Sequence, residues 1–443
     1  MRRTSLSSIV QGLSRQGRVL LHALLPPNPA QTKGDFLSVD AMCSLARDLI
    51  STRGEASGVA IAEELLRMYR EAEVGVRMDF LKRLAVDFNP DCRRMQMAWD
   101  RFSEQGWPAL ASLARASEAP RQELFRRLNL AQDGAATLIG MRESLLTHPD
   151  AIEAGIVEAD LFHVLQSWFN RGFLTMQSIT WSSPASLLER VIRYEAVHDI
   201  GDWIELRRRL EPRDRRCFGF FHPAMPQEPL IFVEVALTNG IPDSIDDVLA
   251  SPRLYLSPED ADTATFYSIS NCQPGLLGVS FGHFLIKQVA TDLQRELPNL
   301  RQFATLSPMP GFIDWLSSRE ADFAGHVASI EADLEGQRER LMACAVEYLV
   351  EAKDSRGRPL DPVARFHLGN GARLERLNWM GNMSVKGRRQ SAGLMVNYFY
   401  ELRSVERLHE NYVHGASVAL GGPFRQMLKK MRVDAGKRME SYR

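Results

Sequence analysis

Three features of this chain combine residue types and spacings suited to chemistry: a glycine turn, a serine at a strand end and a histidine where the chain turns. Gly275, Gly278 and Gly282 follow an apolar run from Ala264 to Ser270 and precede a helical pattern with Phe284, Leu285, Val289 and Leu293 on one side. Glycines let a phosphate approach backbone N–H groups, and a helix opening there adds the positive end of its dipole. The pattern is not G-x-G-x-x-G, has no acidic residue about 20 positions on for a ribose, and lacks the Lys-Ser/Thr ending of a P-loop. Taken alone it is more often a plain turn.

A second apolar run, Phe303 to Leu306, delivers Ser307 into the corner Pro308-Met309-Pro310-Gly311. Ser307 lacks the G-x-S-x-G context of a nucleophile elbow, and a Ser-Pro step by itself usually marks a turn. His367 sits in Ala364-Arg365-Phe366-His367-Leu368-Gly369-Asn370-Gly371. A single histidine there is more often a satisfied core residue than a proton donor. His222, which also ends a β-type run, is its rival. No HExxH, His-x-His or carboxylate cluster points to a metal.

The elements around these residues fall into two halves. From residue 36 to residue 174 apolar residues recur at helical spacing: Ile61, Leu65, Met68 and Ala72, then Leu81, Leu84 and Phe88, then Leu124, Phe125 and Leu128, then Leu161, Leu165, Trp168 and Phe169. Charged faces such as Arg121-Glu123-Arg126-Arg127 read as solvated. This half is expected to be an all-α helical-bundle domain, residues 1–175, serving in oligomerisation. Ser183-Pro184 opens a helix through Leu187, Leu188, Val191 and Ile192. β-type runs follow at Cys217–Phe221, Leu230–Leu237 and Ala392–Leu402, so residues 176–443 are expected to form an α+β domain around a mixed sheet.

At 443 residues two domains are expected, and a net charge of -1 provides no field for nucleic acid or anionic membrane. No apolar run approaches the ~20 residues that span a bilayer. Five cysteines without a CxxC pair fit a reducing compartment. Residues 1–34 carry Arg2, Arg3, Arg15, Arg18 and Lys33 without an acid, a composition shared by mitochondrial transit peptides and by plain basic N-termini.

Together these stretches resemble the malonyl-CoA decarboxylase family. The resemblance is carried by ITWSSPASLL (Ile179–Leu188), FYSIS…GLLGV…FLIK (Phe266–Lys287), LSPMPGF (Leu306–Phe312), PVARFHLGNGA (Pro362–Ala372), LNWMGNMS (Leu377–Ser384) and SAGLMVNYFY (Ser391–Tyr400). Looser matches lie at Phe80–Phe88 and Ser167–Leu174. The resemblance implies an N-acetyltransferase-like catalytic half and a homotetramer acting on malonyl-CoA. It places the CoA-binding turn on Leu277, Gly278, Val279, Ser280, Phe281, Gly282 and His283, and the catalytic pair on Ser307 and His367. Some members carry Glu where this chain has Ser280. Members addressed to peroxisomes end in Ser-Lys-Leu, whereas this chain ends Ser441-Tyr442-Arg443, so the cytoplasm is expected, with the mitochondrial matrix as the alternative.

Loss of CO2 from malonyl-CoA leaves an enolate that must be stabilised and protonated at carbon. His367, with an unperturbed pKa near neutrality, is the expected proton donor, and Ser307 is placed to bind the carboxylate or relay a proton. The thioester is itself an electron sink, so no cofactor is expected. Asn378 and Tyr398 are further candidates for hydrogen bonds to substrate or within the core. A CoA-dependent acyltransferase would lean instead on His222 or Glu234. A non-catalytic acyl-CoA-binding protein is the alternative if Ser307 and His367 do not meet.

Overall fold

A computed structural model describes residues 37–148, 152–279, 285–319, 335–415 and 417–429. Residues 1–34, the C-terminal tripeptide, and Ser280, Phe281, Gly282 and His283 lie outside the described residues.

The chain divides into two compact units. The first runs to Leu174 and also takes in His222–Pro226 and Gln273–Ser280. Its described helices are α1 (Val39–Ile50), α2 (Arg53–Glu71), α3 (Val74–Asp87), α4 (Cys92–Gln105), α5 (Leu110–Ser117), α6 (Pro120–Leu128), α7 (Gly134–Thr147) and α8 (Ile152–Trp168). Local chemistry sets their ends. Ser38 caps α1 by accepting the Ala41 N–H, Asp91 caps α4, and Pro120 occupies the first turn of α6. Leu65, Leu81, Leu84, Phe88, Leu124, Phe125 and Leu161 meet in one apolar core. Their helical spacing turns each helix's apolar stripe inward. Arg121 departs from its expected solvated face. It is buried, donating to Asp160 at 2.5 Å and to Asn89 at 2.6 Å.

The second unit is built on one mixed sheet in the order β1-β2-β3-β4-β5-β8-β6, with β7 pairing β8. The strands are β1 (Thr175–Ser178), β2 (Arg215–His222), β3 (Met225–Thr238), β4 (Thr263–Asn271), β5 (Gln302–Thr305), β6 (Ser307–Pro308), β7 (Arg373–Asn378) and β8 (Met395–Phe399). The helical N-terminal region and the mixed-sheet α+β C-terminal region are the fold class expected from the sequence. β4 and β5 are parallel, joined through helix α12 (Leu285–Glu296) in the numbering that counts α9 (Ala185–Tyr194), α10 (Trp203–Leu210) and α11 (Ile245–Leu249) before it. Helices α13 (Phe312–Arg319), α14 (Arg338–Val350), α15 (Pro362–Gly369), α16 (Val385–Ser391) and α17 (Val405–Gly415) follow in the same unit.

Two irregularities matter for the site. The Phe303–Leu306 run does not continue as one strand. β5 ends at Thr305, and Ser307 heads β6, which pairs with β8 through Ser307↔Val396. The run expected over Ala392–Leu402 shortens to Met395–Phe399, because Ala392 takes a left-handed conformation (φ 51) at the end of α16. Leu306 and Met395 pack with Ile245 and Val248 of α11 on one face of the sheet. Alternation turns Thr305, Ser307, Val396 and Tyr398 to the other face.

Candidate active site

Ser307 and His367, far apart in sequence, meet in the second unit. The Ser307 Oγ lies 3.1 Å from His367 Nε2, and both residues are buried. His367 stands in the last turn of α15. Asp361 fixes where that helix starts, accepting the Ala364 N–H at 2.7 Å, and Pro362 follows at the first helical position. Ser307 is fixed by the β6–β8 pairing.

Two residues that sequence reasoning did not assign complete the arrangement. Ser307 donates its hydroxyl to Thr305 Oγ1 at 2.9 Å, and Thr305 Oγ1 also accepts the Tyr398 N–H at 3.2 Å. Tyr400 Oη lies 2.8 Å from His367 Nδ1. Period-two alternation was the available signal: Thr305 precedes Ser307 by one pleat, and Tyr400 follows Tyr398 by one. The Tyr398 ring stacks on the imidazole with centroids 4.5 Å apart, so Tyr398 holds the plane of the ring rather than offering its hydroxyl to it.

These bonds assign the protons. The Ser307 hydrogen is directed at Thr305, so the Ser307 lone pair accepts from His367 Nε2–H. Burial depresses the His367 pKa to about 3, which keeps the ring neutral, so Nδ1 is unprotonated and accepts the Tyr400 O–H. Burial also raises the Tyr400 pKa well above its ordinary value, which keeps that proton in place. The proton donor expected to titrate near neutrality is therefore held as neutral imidazole until something anionic enters.

The other candidates are held elsewhere. Asn378 donates to Asn397 Oδ1 at 2.8 Å and accepts from Arg376 Nε at 2.7 Å, a core network. His222 packs on Phe169 with ring centroids 4.6 Å apart, and its Nδ1 accepts the Ala224 N–H at 3.1 Å. Glu234 is fully buried in β3, where it accepts from Arg209 at 3.2 Å. Of the residues expected to bind CoA, Leu277, Gly278 and Val279 form a turn in the first unit. Leu277 and Gly278 are exposed, Val279 is buried, and Gly278 has a φ of 81. Among the described residues no group of three His, Cys, Asp or Glu side chains is gathered to hold a metal.

Comparison with known proteins identifies the family. Residues 172–335 and 326–438 match the malonyl-CoA decarboxylase C-terminal domain, and residues 88–169 match the malonyl-CoA decarboxylase N-terminal domain. The chain belongs to the malonyl-CoA decarboxylase family. It is 36% identical over 394 residues to the mitochondrial malonyl-CoA decarboxylase of Anser anser anser, covering 76% of this chain and 77% of that relative. It is 32% identical over 460 residues to that of Rattus norvegicus, covering 88% and 92%. Among solved structures, malonyl-CoA decarboxylase from Rhodopseudomonas palustris is similar with a TM-score of 0.83 and 46% identity, over 88% of this chain and 99% of that one. The enzyme from Agrobacterium vitis is similar with a TM-score of 0.81 and 45% identity, over 87% and 98%. A non-catalytic role loses its premise, since Ser307 and His367 do meet.

Proposed function

We infer that this chain is a carboxy-lyase converting malonyl-CoA to acetyl-CoA and CO2. The observation that carries its mechanism is the 3.1 Å contact between Ser307 and His367 inside a chain of neutral hydrogen-bonding groups. When the C–C bond breaks, its electron pair moves onto the α carbon and into the thioester carbonyl, and CO2 leaves. The malonyl carboxylate, and then the enolate, supply an anionic neighbour that raises the His367 pKa from its buried value. The imidazole takes up one proton from solvent at Nδ1 as the Tyr400 hydroxyl turns to accept it, and once the product has left the ring returns to its Nε2–H tautomer. Ser307 then gives its hydroxyl proton to the α carbon and regains one from His367 Nε2. One proton is consumed per turnover, as the reaction requires. Burial of the pair keeps water from competing for these hydrogen bonds.

The turn at Leu277–Val279 is proposed to take the CoA pyrophosphate on the Gly278 backbone amide. The thioester accepts the electron pair, so the proposed reaction runs without metal, pyridoxal phosphate or biotin. Self-association as a homotetramer through the helical unit is proposed with it, to be checked by light scattering of the native protein. The cytoplasm is the proposed compartment. The mitochondrial relatives support the matrix alternative, and import of the full chain into isolated mitochondria distinguishes the two.

The test is incubation with malonyl-CoA and no acceptor amine. The wild type releases acetyl-CoA and CO2. His367→Asn releases neither while CoA still binds. Near-normal turnover in that variant removes His367 from the mechanism.

A further inference from the structure

The turn after β4 is anchored by a side chain from the helical bundle. Arg142 of α7 is only 4% exposed. Its Nη1 donates to the Gly275 carbonyl and to the Leu277 carbonyl, each at 2.8 Å. Glu158 of α8 neutralises it, accepting from Nε at 2.8 Å, and the guanidinium carbon lies 4.8 Å from the centroid of the Phe162 ring. A buried arginine with a partnered charge, a stacked ring and two carbonyl acceptors has a single orientation open to it. The backbone is correspondingly close: a side chain on Gly275 would run into the Ile139 carbonyl oxygen.

What this anchor does follows from peptide geometry. In a planar trans peptide the C=O and the following N–H point in opposite directions. The Leu277 carbonyl points inward to Arg142, so the Gly278 N–H points outward. The neighbouring amides are closed on the turn itself: Leu276 donates to Gln273, Leu277 to Pro274 and Val279 to Leu276. The Gly278 N–H has no acceptor among the described residues. A positive φ at Gly278 is what lets the chain hold this peptide plane.

We propose that Arg142, held by Glu158, is a positioning residue that aims the Gly278 amide at the pyrophosphate of the CoA thioester. This rests on the turn's being the CoA site. Arg142 then acts on substrate affinity through the Gly278 amide.

The experiment compares malonyl-CoA with malonyl-pantetheine, which carries the same reacting group and lacks the nucleotide and pyrophosphate. Arg142→Met should raise KM for malonyl-CoA about tenfold, the effect of roughly one lost hydrogen bond to an ion, and leave kcat and the KM for malonyl-pantetheine unchanged. Glu158→Gln, which keeps the guanidinium in place with a weaker partner, should give a smaller shift in the same direction. Circular dichroism and thermal midpoint report whether each variant is folded. Should Arg142→Met not fold, Arg142→Lys and Glu158→Gln carry the comparison. Gly278→Ala, which strains the turn itself, separates the two levels. If Gly278→Ala raises KM for malonyl-CoA alone and the folded Arg142 and Glu158 variants do not, the anchoring role is wrong and the turn remains the CoA site. If no variant distinguishes the two substrates, the turn is not the CoA site and the anchoring role falls with it. A loss that strikes both substrates equally assigns Arg142 to stability alone and overturns the proposal.

Discussion

The two faces of the C-terminal sheet bury ionisable groups in opposite ways. On the α11 face, Glu234, Arg209, Arg215 and His198 crowd together beside a cavity of about 850 Å3 lined by His198, Arg209, Lys386 and Asn382. Among the described residues several polar atoms there have no hydrogen-bond partner: His198 Nε2, Arg209 Nε, Glu234 Oε1 and Tyr267 Oη. Burial, with Glu195 nearby, raises the Glu234 pKa to about 8, and burial with the Arg209 charge lowers that of His198 to about 3. On the other face, Thr305, Ser307, His367 and Tyr400 carry no formal charge and are joined end to end. Neither Ser307 nor His367 lines the large cavity. Perturbed pKa values occur on both faces, and the cavity alone would choose the first. Connectivity chooses the second, because a proton moves only between groups already in hydrogen-bond contact.

Substitutions on the two faces should separate this contrast. His367→Asn is expected to lower kcat by about 10²–10⁴, the usual contribution of a positioned proton donor, with CoA binding retained in a fluorescence or calorimetric titration. Tyr400→Phe leaves His367 Nδ1 buried without a partner and should lower kcat by roughly tenfold to a hundredfold, with the fold intact by circular dichroism. His198→Asn, on the charged face, should leave kcat within about twofold, since surface and core changes outside a site act mainly on stability. A large kcat loss in His198→Asn would break the comparison.

The smallest effects are expected in stability against pH. His198 and His367 have folded pKa values near 3 against an unfolded value of about 6.5. Between those limits the unfolded chain binds more protons, so stability present above about pH 6.5 is lost as pH falls toward 3. Glu234 acts in the other direction. Its folded pKa of about 8 exceeds the carboxylate value, so its contribution is full in acid and is lost as pH rises through 8. Thermal midpoints measured across pH should therefore fall on both sides. Either histidine→Asn variant should flatten the acid limb, and Glu234→Gln the alkaline one.

The legible parts of this molecule were those written as periodicity or as turn chemistry. Leu81, Leu84 and Phe88 announced a buried helix face, and they are all in the core. Ser183-Pro184 marks the start of α9, and the Pro-rich corner after Ser307 marks the end of a strand. Partners across the sheet were not legible, since Thr305 and Tyr400 become neighbours of Ser307 and His367 only through pairing with β8. Buried arginines were misleading. Arg121 sits in a helix among other charges and reads as solvated, yet it is enclosed with an acidic partner, as Arg142 is. An acid on a different helix, well away in sequence, carries no local signal of that pairing.

Assignment of Gln273–Ser280 to the helical unit bears on inheritance and on dissection of the gene. A polypeptide beginning at Thr175 would keep Ser307, His367, Thr305 and Tyr400 and would lose the guanidinium on which the Gly275 and Leu277 carbonyls rest. The boundary seen along the chain is thus not one at which the turn and its anchor stay together. Recombination of the two halves between diverged relatives would have to carry positions 139, 142 and 158 together with the turn they hold.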